Sequence, residues 1–338
     1  MDGNFVWRDA GRTVVCEAGG IAAAPKLLAE HGIDDFELLT TARHLDAGAG
    51  LTEIAAAVHE LPPADPATAV PESAAALLDT AVGPNLVALG GGRTIDTAKA
   101  IAAVTGAAVV AIPTTMSGAE MTGIHRLPAG AEDRVRSLVR PALVIADPEA
   151  MTSAPEPELR ASSMNALAHG ADSLYTPFAN PVSRMTALRG AELIATSLDE
   201  DPAERNRAAL AQGSILCGYA IDSGSFSLHH VICQTLVRIC GALHAGVNAA
   251  ILPRAMSFMT PRAPDGLESL ATAIGTTPDH IEPRLLELGG NPPGIGEQGA
   301  DRSKLPEAIE AMLLRPELAF TPEPPTKSDL ETLVDAAW

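Results

Sequence analysis

Leu86-Val87-Ala88-Leu89-Gly90-Gly91-Gly92-Arg93-Thr94-Ile95-Asp96-Thr97-Ala98-Lys99-Ala100 is the stretch that decides the fold of this chain. A short apolar run breaks into three consecutive glycines, and the residues after them take up helical spacing. A strand that turns through glycine into a helix is a phosphate-binding device. Glycine lets backbone N–H groups approach a pyrophosphate, and the helix N-terminus adds partial positive charge. The competing reading is a tight strand-to-helix turn with no ligand.

Outward from this stretch, strand and helix signals alternate. Residues 13–16, 36–41, 86–89, 108–112 and 143–146 read as strands, and 21–31, 71–82 and 94–105 as helices. Residues 51–61 read as a short helix running into a short strand. Such alternation predicts parallel βαβ units and a doubly wound sheet. After Pro148 long helical patterns take over, at 158–175, 181–198, 202–223, 227–239 and 245–259, with further helices at 305–314 and 327–337. Between these last two, Pro322, Pro324 and Pro325 require a loop. The predicted organisation is therefore an α/β dinucleotide-binding domain over 1–150 and an all-helical catalytic domain over 151–338.

Composition narrows the partners. The chain has 338 residues, 46% of them hydrophobic but only 3% aromatic, so its core must be aliphatic. A formal net charge of −19 excludes a nucleic-acid backbone as partner and obliges any anionic substrate to find a local basic or dipolar site. Cys16, Cys217, Cys233 and Cys240 form no CxxC pair and suggest free thiols in a reducing compartment. The first residues lack a signal-peptide pattern, and no apolar run reaches membrane-spanning length. The expectation is a soluble cytoplasmic protein.

Three further segments carry candidate chemistry. Pro113-Thr114-Thr115-Met116-Ser117-Gly118-Ala119-Glu120-Met121-Thr122 follows a strand, at the sheet edge where ligands bind. Asn165 and His169 are four apart on one helix and share a face. His229 and His230 open another helix, and His244 lies fourteen residues beyond His230. Each histidine alone is weak; several on successive helices suggest one convergent site.

The order of these motifs resembles the iron-containing alcohol dehydrogenase superfamily, and within it the maleylacetate reductases. The resemblance spans nearly the whole chain. It implies NAD(H) or NADP(H) as cofactor, a small-molecule substrate, a homodimer, and an active site between the two domains. It places the pyrophosphate loop on Gly90, Gly91 and Gly92, followed by Asp96 and Lys99. Thr114, Thr115 and Ser117 fall on the segment lining the cofactor. The family's metal ligands, one Asp and three His, fall on Asn165, His169, His230 and His244.

The substrate side departs from the family. Asn165 removes the only formally negative ligand, so no tightly bound catalytic metal is expected. Gln234 stands where another histidine is usual, four residues after His230. Arg238 and Arg254 are candidate carboxylate binders. The strand ending Thr40-Thr41 lacks the acid that selects NAD, and nearby Arg43 suits a 2′-phosphate. The expected function is reduction of an unsaturated keto acid, maleylacetate to 3-oxoadipate or a related enone, with His169, His230 or His244 as proton donor. The alternative is a repurposed family member that binds the dinucleotide but catalyses a non-redox isomerisation or dehydration, or serves as a binding protein.

Overall fold

The computed structural model describes residues 11–63, 69–81 and 83–338, without the side chains of His244 and Ala245. These residues divide into two compact units, one ending at Ser153 and the other running Ala154–Trp338.

The first unit contains β1 (Thr13–Cys16), α1 (Gly20–Glu30), β2 (Glu37–Thr41), α2 (Ala49–Thr52), β3 (Ala57–Leu61) and α3 (Val70–Leu77). It continues with β4 (Asn85–Gly90), α4 (Gly92–Thr105), β5 (Ala108–Pro113), β6 (Leu143–Ala146) and α5 (Pro148–Met151). The strands form one parallel sheet in the order β1-β6-β5-β4-β2-β3. From β2 the chain steps outward to β3, returns to β4, and then runs the other way through β5 and β6. This reversal leaves a crevice beyond the carboxyl ends of β2 and β4, the place where open α/β sheets take ligands. The register pairs Leu39 with Ala88, so both strands deliver their ends there together.

Both faces of the sheet are covered, which is why the strands read as unbroken apolar runs. Along β4, Leu86 and Ala88 pack into one aliphatic cluster with Ile95, Ala98 and Ile101 of α4. Val87 and Leu89 pack into the opposite cluster with Ala24 and Leu28 of α1 and Leu51 of α2. The pleat's period of two thus builds two cores from one strand.

The second unit is helical: α6 (Glu156–Ser173), α7 (Pro181–Asp199), α8 (Arg207–Gly224), α9 (Leu228–Cys240), α10 (His244–Met259), α11 (Pro264–Ala273), α12 (Ile281–Leu288), α13 (Leu305–Leu313) and α14 (Lys327–Ala337). Helix α6 is buried without a break from Ser163 to Ser173, and it packs against α7, α8, α9 and α10. A helix buried all round is the natural carrier for polar side chains withdrawn from water.

Two element boundaries differ from the sequence reading. The helix expected over 71–82 ends at Leu77, whose carbonyl accepts from Thr80 and Ala81 in a closing turn before Gly83 and Pro84; Val82 lies outside the described residues. The helix expected from 202 begins only at Arg207, because Asn206 caps it by accepting from the Ala209 N–H. Pro202 starts a turn instead.

Candidate active site

In the first unit, the glycine loop joins β4 to α4. A side chain on Gly90 would place Cβ 2.6 Å from Thr94 Oγ1, and one on Gly92 would meet Ser117 Cβ at 2.8 Å. Glycine is therefore what allows Thr94 and the loop after β5 to close on this turn. Helix α4 starts at Gly92 with no capping side chain and no acidic residue in its first turn. Its leading N–H groups and dipole are left for an anion, so the residues present fit a dinucleotide pyrophosphate. Thr114 donates its N–H to Gly90 O at 3.0 Å, and Thr115 Oγ1 lies 3.2 Å from where a Gly91 Cβ would be. Thr114, Thr115 and Ser117 are thus brought to the glycine turn.

Lys99 does something else. It is completely buried and donates to Asp96 Oδ1 (2.8 Å), Ala119 O (3.0 Å) and Ile124 O (2.8 Å). With Thr122 Oγ1 at 3.5 Å as a further acceptor, the Lys99 ammonium is fully engaged inside the unit and ties α4 to the 114–124 loop. At the end of β2, Thr40 Oγ1 donates to Leu89 O and Thr41 Oγ1 lies 3.0 Å from His44 Nδ1, with Arg43 exposed beside them.

In the second unit, Asn165 and His169 are buried on the same face of α6. One turn further, Asp172 faces α9. Its Oδ2 accepts from His230 Nδ1 (2.7 Å), His230 N (3.2 Å) and Ser227 N (3.1 Å), and its Oδ1 accepts from Tyr175 Oη. Burial alone would raise this carboxyl. The hydrogen bonds from His230 and Tyr175 and the neighbouring imidazoles outweigh it and hold Asp172 well below the usual carboxylate range. The phenol of Tyr175 is pushed well above its ordinary value by burial and by that same carboxylate.

These contacts fix the histidine tautomers. A carboxylate only accepts, so His230 Nδ1 carries a proton. His229 Nε2 donates to Asn248 O at 3.2 Å, leaving its Nδ1 as an acceptor 3.4 Å from His230 Nδ1. His230 Nε2 is buried and has no hydrogen-bond partner among the described residues. The His169 and His230 rings stack at 5.0 Å between centroids and 18° between planes. The ligand atoms of Asp172, His229 and His230 lie within 4.8 Å of one another, and hydrogen bonds link Asp172 to His230.

A hard iron(II) ion does not suit this donor set. Asn165 is neutral, and both oxygens of Asp172 are already committed. The side chain of His244 lies outside the described residues; its backbone opens α10. Arg238 is exposed in the last turn of α9, and Arg254 sits on α10 with Nε 3.8 Å from Glu282 Oε1 of α12. Asp172 and Tyr175 escaped the sequence reading. Their spacing was the available signal, since 169 and 172 are three apart on the helix face and Tyr175 follows three residues later, just past the helix end.

The fold and this site define a two-unit oxidoreductase with a dinucleotide turn and a histidine-bearing helical unit. Residues 11–148 match the family domain described as "Iron-containing alcohol dehydrogenase" and residues 160–338 the "Fe-containing alcohol dehydrogenase family, C-terminal" domain. The chain belongs to the iron-containing alcohol dehydrogenase family. Maleylacetate reductase 1 of Rhodococcus opacus is 35% identical over 277 residues, covering 80% of this chain and 77% of that one. Maleylacetate reductase of Burkholderia cepacia is 33% identical over 262 residues, covering 75% and 73%. The crystal structure of maleylacetate reductase from Agrobacterium tumefaciens superposes with a TM-score of 0.84 at 27% identity, covering 99% of this chain and 98% of that one. These likenesses identify an NAD(P)-dependent oxidoreductase resembling maleylacetate reductase, and they favour a reductase over the non-redox reading.

Proposed function

We propose that the enzyme reduces the carbon–carbon double bond of an unsaturated keto-dicarboxylate, maleylacetate or a close relative, using NADH or NADPH and no catalytic metal. The observation that carries this reading is the buried His230 Nε2, left without a partner while Nδ1 is tied to Asp172. When bound, the nicotinamide supplies the hydride. The glycines at 90–92 and the start of α4 hold the pyrophosphate. Asp172 stabilises the imidazolium of His230, which presents its Nε2 proton to the substrate and returns to the neutral Nδ1–H form. His169, its ring stacked on that of His230, adds a second imidazole beside the developing oxyanion. The amide of Asn165 adds polarity without charge, in keeping with a reaction that needs no ion. The same reading has the enzyme in the cytoplasm as a homodimer; four unpaired cysteines support a reducing compartment.

The test is oxidation of NADH or NADPH by maleylacetate in the presence of a chelator, with metal content measured on the same sample. Turnover at sub-stoichiometric iron and zinc is expected, and His230→Ala is expected to lower it about 10²-fold or more. Failure to oxidise either nucleotide overturns the reading, and activity that tracks metal content overturns its metal-free part.

A further inference from the structure

Gln234 lies one turn after His230 on α9, so the two side chains leave the same helix face with Cβ atoms about 6 Å apart. Its Oε1 accepts from Arg315 Nη2 at 3.0 Å. A guanidinium has no acceptor, so the amide must turn its oxygen to Arg315 and its NH₂ group away. Among the described residues Gln234 Nε2 makes no hydrogen bond. Arg315 is itself held in a fork by Glu317, with Nε to Oε2 at 2.9 Å and Nη2 to Oε1 at 3.1 Å, which leaves Nη1 with both protons unused among the described residues.

The neighbours tie this clamp to the histidine site. Phe226 is buried, with its ring centroid 5.9 Å from that of His230, and Arg315 Cζ lies 6.0 Å from the same Phe226 ring. The 314–321 segment that carries Arg315 is anchored to the start of α9: Ser227 Oγ donates to Glu317 O and bonds Thr321 Oγ1. Glu317 neutralises Arg315, so the clamp offers directed N–H groups without net charge.

We propose that Gln234 Nε2 and Arg315 Nη1 form the subsite that binds a carboxylate of the substrate beside His230. This rests on the reductase reading above and assigns the dicarboxylate preference to particular donors. An amide does not titrate, so its part in that recognition is independent of pH. The Arg315–Glu317 fork orients the amide and supplies the second donor.

The test compares maleylacetate with the same enone esterified at the carboxylate remote from the double bond, in wild type, Gln234→Glu, Gln234→Leu and Arg315→Met. Gln234→Glu preserves size and the contact to Arg315 but removes both N–H donors. The expected result is a rise in KM for the dicarboxylate of about 10- to 100-fold, from losing hydrogen bonds to a charged group. Its kcat stays within about threefold, and the ester's kcat/KM is nearly unchanged. Equal losses on both substrates, or none on either, overturn the subsite. Retained NADH affinity and circular dichroism certify folding of each variant, and Arg315→Met decides the matter should the Gln234 variants fold poorly. Wild type that oxidises no NADH with the dicarboxylate refutes the reductase reading instead, so the two failures are separate.

Discussion

At the scale of single residues, the second unit spends a fully buried carboxylate on one imidazole. In the proposed mechanism Asp172 is a positioning residue: it accepts from His230 Nδ1 and so holds the ring with Nε2 toward the substrate. Asp172→Asn keeps the volume but loses the charge, and kcat is expected to fall about 10²-fold or more, with nucleotide affinity unchanged. Steady-state turnover alongside a separate NADH titration checks this. Glu120 is the opposite case in the first unit. Neither carboxylate oxygen finds a partner outside its own residue among those described, and burial pushes the carboxyl up to about 7 against the pull of its own N–H, Lys99 and Arg12. The folded state therefore keeps this proton to higher pH than the unfolded chain does. Stability is full below the unfolded value and declines as pH rises toward 7. Glu120→Gln removes that loss, so it is expected to stabilise by up to roughly 3 kcal/mol at pH 8 and by little at pH 4.5. Denaturant melts at both values decide it: an equal effect at the two would contradict the assignment.

At the scale of elements, close packing of α7 on α8 depends on missing side chains. A Cβ on Gly190 would sit 2.6 Å from Cys217 Sγ and 2.8 Å from Gly213 O, and backbone cannot step aside. Gly190→Ala is expected to cost about 1–3 kcal/mol, read from the midpoint of urea unfolding. That contact was invisible in the sequence, although both helices were legible from their periodicity. Strands β1, β4, β5 and β6 were equally legible, because Gly or Pro stands close to either end of each apolar run. The boundaries at Leu77 and Asn206 were not, since a closing turn and a cap compete locally with helix propensity. The site divides in the same way. Asn165, His169 and His230 could be read from spacing on their own helices. The bond from Asp172 to His230 spans 58 residues and that from Arg315 to Gln234 spans 81, and only the folded chain brings such partners together. Arg238 and Arg254 lie near the histidines in sequence, whereas Arg315 meets Gln234 only through the fold.

At the scale of the whole molecule, the aliphatic composition makes the four thiols useful reporters. Burial pushes Cys217 up to about 12 and Cys233 well above its ordinary value, and it raises Cys16 and Cys240 as well. Only Cys16 is partly exposed. Native protein is expected to react with a chromogenic disulfide reagent quickly at no more than this one thiol and at all four in denaturant. A fast native count above one would show that the helical unit opens far more readily than its packing suggests. No helix among the described residues is long and apolar enough to cross a membrane. The formal net charge of −19 repels anions at long range, so any affinity for them has to be local. On the proposed reading the uncapped start of α4 supplies such affinity, and backbone N–H groups there would not distinguish the pyrophosphate of a nucleotide from inorganic phosphate. Assay practice follows from that. In phosphate buffer the apparent KM for NADH will rise with buffer concentration while that for the reducible substrate stays put, and the same enzyme will look poorer in phosphate than in a zwitterionic buffer of equal ionic strength.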